Sequence, residues 1–427
     1  MKKALKVIAL ILALAMVVAF AACGGNTNDD TTAAPDTTEA PTDAPDTTAA
    51  EDTDYSNVKV GFIFLHDENS TYDLNFINAA EEACAALGIP KENYILKTNI
   101  DESQACADTA NDLVDQGCSI IFADSFGHEP YMIEAAKANP DVQFCHATGT
   151  RAHTEGLSNY HNAFASIYEG RYLAGIAAGM KLNEMIADGK IAADKTPLVG
   201  YVGAYTYAEV VSGYTSFFLG VRSVCPTAEM EVTFTGSWYN ATAEKEAAVK
   251  LISRGCDLIS QHADSMGAPT ACEDANVPNV SYNGSTQAQC PNTFIVSSRI
   301  NWAPYFEYAI KAAVAGEKIA DDWTGDLSTG SVVLTDVNTD VAATGTVEAL
   351  AAAKAALEAG TIHVFDTANF TKDGAALESY MADVDTDEAY EGDTEVISDG
   401  YFHESEYRSV PYFDIQIDGI TLLDTAF

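Results

Sequence analysis

Basic residues are scarce in this chain. Twenty-two lysines and arginines stand against 63 aspartates and glutamates in 427 residues, a formal net charge of −41. Three of the positive charges sit at the very start and nine of the acids fall in residues 24–54, so residues 55–427 carry a net −35. A surface so acidic repels a phosphate backbone and excludes nucleic acid as a partner. It argues equally against direct docking on anionic lipid. The nine cysteines include no C-x-x-C pair, and no histidine stands at zinc spacing from two of them, which excludes a structural metal. There is no nucleophile elbow, no phosphate loop and no H-E-x-x-H, so the commonest hydrolytic and phosphoryl-transfer sites are missing. Asp67, Glu68 and Asp73 are the nearest approach to a carboxylate cluster, and we expect no catalysis from them.

What the sequence does contain begins with an address. Lys2, Lys3 and Lys6 precede an apolar run over residues 7–22, too short to span a bilayer and suited to a secretory signal. The run closes on Phe20-Ala21-Ala22-Cys23-Gly24, small residues before a cysteine, as lipoprotein signal peptidase requires. Residues 1–23 therefore read as a lipoprotein signal peptide with lipidation at Cys23. Residues 24–54 are nearly all Thr, Ala, Asp, Pro and Glu, without apolar periodicity, and read as a disordered acidic tether. The expected location is the outer face of the cell membrane, with a lipid anchor. The remaining cysteines, 84, 106, 118, 145, 225, 256, 272 and 290, fall partly in apolar helix and strand patterns and are expected to be free thiols.

From Val58 the chain alternates β-rich runs with amphipathic stretches. Strands are expected at 58–64, 93–98, 119–123 and 142–146, and helices at 75–87, 106–116 and 129–138. Such alternation predicts an α/β fold of parallel βαβ units. The programme restarts near Leu198, with a helix at 209–224. A sharper self-similarity follows. A helix ends at Gly117, a strand follows, and Ala123-Asp124-Ser125-Phe126-Gly127 opens the next helix. The same grammar recurs at Gly255 and Ala263-Asp264-Ser265-Met266-Gly267. Each A-D-S-x-G stands at the carboxyl end of a parallel strand, where open α/β sheets bind ligands. Asp and Ser there also suit capping of the helix that follows. Two lobes are predicted: residues 55–160 with 295–335, and residues 161–294 with 336–427. Toward the end we expect a helix at 345–360, a strand at 362–365 and a hairpin at 411–419. The acidic stretch 383–406 is read as an extra loop with no assigned function.

Several of these segments resemble one family. Tyr168-Glu169-Gly170-Arg171-Tyr172-Leu173-Ala174-Gly175-Ile176-Ala177-Ala178-Gly179 is similar to the Y-x-x-R-Y-L-x-G-x-x-A-G helix of the basic membrane protein (PnrA-like) lipoproteins of ABC transporters. Leu198-Val199-Gly200-Tyr201-Val202 with Glu209, Ser237-Trp238-Tyr239-Asn240, Gln261-His262-Ala263-Asp264-Ser265 and Asn301-Trp302-Ala303-Pro304-Tyr305 extend the resemblance. It runs from about Val58 to Gly316. It implies the type I periplasmic-binding-protein fold, two Rossmann-like lobes joined by crossover strands. It also implies a solute-binding lipoprotein that closes on a purine nucleoside or nucleobase and delivers it to an ABC permease. A monomer without cofactor is expected. A lipoprotein sensor reporting a ligand to a receptor, or a receptor for another small solute, is the alternative.

A purine offers two π-faces and a polar edge, and the candidate residues match it. Tyr72, Phe126 and Trp238 are the stacking candidates, each stack worth about 1–3 kcal/mol. Thr71-Tyr72-Asp73 takes the place of the family's Ser-Phe-Asn. Asp73, Asp264 and Asn283 are expected on the polar edge, with Asp124 and Ser125 in the first repeat loop and Glu209 and His262 in the second lobe. His262 and Asn283 equally suit structural roles, at a strand end and in a turn.

Overall fold

The computed structural model describes residues 53–384 and 393–425, and every element below lies in one unit, residues 54–427. The leader, Cys23 and nearly all of the tether lie outside the described residues.

The chain runs β1 (Val60–Ile63), α1 (Thr71–Ala86), β2 (Tyr94–Lys97), α2 (Gln104–Asp115), β3 (Ile120–Ala123), α3 (Glu129–Ala138), β4 (Gln143–Ala147), a short α4 (Ala152–Glu155) and β5 (Tyr160–Ala165). Then come α5 (Ile167–Ala187), β6 (Leu198–Gly203), α6 (Ala208–Val224), β7 (Glu229–Phe234), α7 (Ala241–Arg254), β8 (Leu258–His262), α8 (Gly267–Ala275), β9 (Asn279–Tyr282) and β10 (Phe294–Ile300). The last elements are α9 (Ala303–Ala315), β11 (Asp322–Gly325), β12 (Val332–Leu334), α10 (Thr346–Glu358), four two-residue strands and β17 (Ile420–Leu422).

These strands make two main sheets. Among the described residues the first has the order β11-β5-β4-β3-β1-β2, all parallel, and the second β12-β10-β9-β8-β6-β7-β17, parallel except for β12. Central strands read as unbroken apolar runs because helices cover both faces: all four residues of β1 and of β3 are buried. In register, Phe62 lies beside Phe122, their rings stacked 5.2 Å apart.

Helix starts follow from local chemistry. Ser70 Oγ accepts from the Asp73 amide at 3.2 Å, which starts α1 at Thr71, four residues before the periodicity suggests. Tyr72 and Asp73 are thereby fixed on its first turn. Asn240 Oδ1 accepts from Ala243 N while Glu244 Oε1 accepts from Asn240 N, a reciprocal cap that starts α7.

In the second lobe α5 and α6 touch backbone to backbone. A Cβ on Gly175 would stand 2.0 Å from the Phe217 carbonyl oxygen, and one on Gly220 2.0 Å from that of Tyr172. The glycines of the Y-x-x-R-Y-L-x-G-x-x-A-G segment are therefore a packing requirement.

The chain passes between the sheets around Ser166, at Asn301–Trp302 and within residues 326–331. These positions correct the lobe boundaries. Residues 161–165 finish a strand of the first sheet, whereas β10 and β12, placed in the first lobe by sequence, belong to the second. A strand looks the same in sequence whether the helix after it packs on its own sheet or on the other. Two smaller expectations also fail. Residues 362–365 form a turn, with Val364 and Phe365 buried, and residues 411–417 run without regular structure into β17, which joins β7 in parallel. Apolar alternation there serves packing against α5 and α6 rather than a hairpin: Phe365 meets Tyr168, and the Tyr214 hydroxyl donates to Gln416 at 3.1 Å.

The cysteines at 84, 106, 118, 145, 225, 256, 272 and 290 are all free and buried. Burial pushes the thiols of Cys84 and Cys256 up to about 12, so they behave as small apolar groups.

Candidate ligand-binding site

The carboxyl ends of both sheets contribute to one cavity of about 220 Å³. From the first lobe come Leu65 and His66 after β1, Tyr72 and Asp73 on α1, Ser125 and Phe126 after β3, and Thr148 and Thr150 after β4. The second lobe supplies Tyr207, Ala208 and Glu209 at the start of α6, Trp238 after β7, His262 at the end of β8, Asp264 after it, and Tyr282 at the end of β9. Arg408, Val410 and Pro411 complete the wall from the C-terminal segment.

The cavity thus brings together Tyr72, Asp73, Ser125, Phe126, Glu209, Trp238, His262 and Asp264, eight of the residues singled out by sequence. Asp124 and Asn283 stand behind it. Asp124 is buried, and its Oδ1 accepts from Leu65 N at 3.1 Å. Asn283 has φ +63°, the turn geometry its setting suggests, and its Nδ2 donates to Asp264 Oδ1 at 3.1 Å. Neither aspartate of the repeated loops caps the next helix. In the second loop Met266 holds the cap position without a side-chain bond, and Ser265 Oγ before it accepts from Gly267 N at 3.0 Å.

Five aromatic side chains, Tyr72, Phe126, Tyr207, Trp238 and Tyr282, line the cavity. Trp238 packs edge-on against Tyr205 at 5.0 Å and tilts against Tyr207 at 6.0 Å. Phe126 and Tyr207, both more than two-fifths exposed, meet across the lobes with centroids 5.4 Å apart. Tyr72 leans on Phe76 and its hydroxyl donates to the Asp124 carbonyl at 2.7 Å, which fixes its ring.

The carboxyl groups are shifted in opposite directions by their surroundings. Burial alone would raise Asp73, but donation from the His66 ring and amide and from Ser70 outweighs it, leaving the carboxyl below the ordinary aspartate value. His66 is raised in turn by that hydrogen bond. Asp124 is pushed well up, by burial first and then by the charge of Asp73. Asp264 is likewise pushed well up by burial and by the charges of Glu244 and Asp73, which favours its protonated form. His262 holds Glu209, its Nε2 2.7 Å from Oε1, while Nδ1 lies 3.4 Å from the Tyr201 hydroxyl. With both ring nitrogens engaged, His262 orients Glu209. Asp67 instead accepts from Asn69 at the surface, so Asp67 and Asp73 do not converge. Among the described residues no group of His, Cys, Asp and Glu could hold a metal ion.

Sequence reasoning missed His66, Thr148, Thr150, Tyr207, Tyr282 and the three residues of the C-terminal segment. His66 and Tyr207 stand close to residues that were singled out, Asp67 and Glu209, in the loops that follow β1 and β6, and position in a loop after a strand was signal enough to find them. Arg408, Val410 and Pro411 carry no such signal.

Residues 63–362 match the family of PnrA-like ABC transporter substrate-binding proteins. The chain belongs to that family. Its members are substrate-binding proteins of ABC transporters rather than enzymes, and they work outside the cytoplasm with a membrane permease. A purine-binding protein of Brucella abortus is 32% identical over 63% of this chain and 72% of its own. A putative ABC transporter glucose-binding protein of Haloferax volcanii is 33% identical over 50% of this chain, which spans about half (51%) of that relative. The solved solute-binding proteins of Conexibacter woesei (TM-score 0.59, 19% identity, 72% of this chain and 98% of that one) and Aeropyrum pernix (0.60, 17%, 72% and 93%) share the fold. No helix among the described residues of this PnrA-like protein is long and apolar enough to cross a membrane.

Proposed function

We propose that this PnrA-like protein is the lipid-anchored receptor of an ABC importer and binds a purine nucleoside or nucleobase between its lobes. The observation that carries the reading is the pairing of aromatic faces with carboxyl groups in one cavity. Tyr72, Phe126, Tyr207 and Trp238 suit a planar ring, while Asp73, Glu209 and Asp264 suit its amine and ring-nitrogen edge. The relative from Brucella abortus supports the same ligand class. Asp124 and Asn283 act through Asp73 and Asp264, as positioning residues. Anchoring at Cys23 fits the leader, and a monomer fits a site completed within one chain.

A thermal-shift screen of nucleobases, nucleosides, sugars and amino acids tests the ligand class, because a solute that binds only the folded state raises its melting temperature. Stabilisation by purines and by no sugar supports the proposal. The glucose-binding relative favours a second reading, a hexose stacked on Trp238 with its hydroxyls on the carboxylates. Stabilisation by a hexose alone would replace the first reading with the second.

A further inference from the structure

The family match ends at residue 362, yet the wall of the cavity does not. Residues 404–413 form a strap that is tied to both lobes. On the second lobe, Tyr168 Oη donates to the Glu404 carbonyl at 3.2 Å, and Phe413 stacks on Phe365 at 4.3 Å. On the first, the Ser409 amide donates to Asp322 Oδ2 of β11 at 2.8 Å, and Thr324 Oγ1 to the Ser405 carbonyl at 3.4 Å. The Glu404 carboxylate folds the strap back on itself, accepting from Tyr412 N at 2.7 Å and Phe413 N at 2.8 Å.

Between these ties the strap presents Arg408, Val410 and Pro411 to the cavity. Arg408 is 6% exposed, and the charges of Glu404, Asp383 and Asp322 act on it. Its Nε donates to the Val410 carbonyl at 3.0 Å, Nη2 to that of Pro411 at 3.1 Å, and Nη1 only distantly, at 3.5 Å, to that of Asp383. Five N–H groups thus meet three carbonyls, and a buried guanidinium keeps donors to spend on a bound molecule. Thr148 and Thr150 line the same cavity, their hydroxyls donating to the Ala147 carbonyl and to Glu129 Oε2. A guanidinium with spare donors matches a group rich in oxygen acceptors.

We infer that the strap is the specificity wall of the cavity, and that Arg408 donates to the sugar oxygens of a nucleoside whose base lies among the aromatic residues. This rests on the purine reading above and deepens it, because it makes nucleoside the preferred ligand over free base. Binding energy supplied by the strap goes to the sugar, so its loss should fall on the nucleoside.

The test is titration calorimetry of wild type, Arg408→Gln and Val410→Phe with a purine nucleoside and with the matching base, each variant checked by thermal melting. We expect wild type to prefer the nucleoside. Arg408→Gln should weaken nucleoside binding by about tenfold or more and base binding by about threefold at most. Val410→Phe keeps the carbonyls that hold Arg408, and its added bulk should exclude the nucleoside while the base still binds, which preserves the test if Arg408→Gln does not fold. Equal losses for base and nucleoside, or none for either, would overturn the assignment of the strap. Wild type binding neither would instead overturn the purine reading, and the strap's sugar contact with it.

Discussion

The Thr71 amide donates to the Asp264 carbonyl oxygen at 2.9 Å, joining the first turn of α1 to the loop after β8 across the cleft. Asn75 Nδ2 approaches Asn283 Oδ1 at 3.4 Å beside it, and Asn283 in turn holds the Asp264 side chain. One residue therefore both faces the cavity and joins the lobes. Burial, then the charges of Glu244 and Asp73, raise the Asp264 carboxyl well above its ordinary value, so what its neutral form contributes is present below the unfolded-chain value and is lost as pH rises through the raised one. Ligand affinity should hold on the acid side of that value and decline above it. Asp264→Asn should flatten that decline in a calorimetric pH series; an unchanged profile would remove Asp264 from the polar edge.

Trp238 and Trp302 should separate binding from stability. Trp238 is partly exposed in the cavity wall, so Trp238→Ala should weaken ligand binding by about 1–3 kcal/mol with little change in melting temperature. Trp302 is 1% exposed and stacks on Phe76 at 4.4 Å. Trp302→Ala should cost about 3–5 kcal/mol of stability in denaturant unfolding. An unaltered affinity for Trp238→Ala would take that ring out of the site.

Gly175→Ala should destabilise the second lobe by at least about 2–3 kcal/mol, because backbone rather than a flexible side chain blocks the new methyl group. Gly284→Ala meets only Thr71 Cγ2 at 3.5 Å and Cβ at 3.6 Å and serves as the control, with a change under about 0.5 kcal/mol expected. Urea unfolding of both variants decides the comparison.

Glu404 ties the strap through a carboxyl that burial lifts to about 7. Its folded value exceeds the unfolded one, so its contribution is fully present below the ordinary glutamate range and is lost as pH rises toward about 7. Over that window the loss amounts to roughly 3 kcal/mol. Glu404→Gln should shrink the fall in melting temperature between pH 4.5 and about 7. A slope equal to that of wild type would assign the pH dependence elsewhere.

For the anchor, wild type should partition with membranes and Cys23→Ser should appear in the soluble secreted fraction. Equal partitioning would refute lipidation.

The architecture was legible because burial on two faces writes itself as apolar runs, and because the A-D-S-x-G loops repeat. Trp238 was legible from its polar neighbours, Gly236, Ser237 and Asn240, which are poor company for a core tryptophan. Asp124 was read as facing the ligand, yet it faces Leu65 N: whether a residue just past a strand points forward or back depends on a local turn that composition does not encode. The strap was illegible for a different reason. Residues 404–413 obey no periodicity, since their order comes from single tertiary bonds to Glu404 and Asp322. The acidic stretch 383–406 reads in sequence as an extra loop and no more, and residues 385–392 within it lie outside the described residues.

The strap also bears on the order in which the protein comes into being. Every other residue of the cavity wall lies at or before Tyr282, and both sheets except β17 are complete by Leu334. During synthesis the strands of both sheets other than β17 are made before Arg408 emerges. Until the strap docks, the cavity lacks Arg408, Val410 and Pro411, so a chain still being made carries an unfinished site.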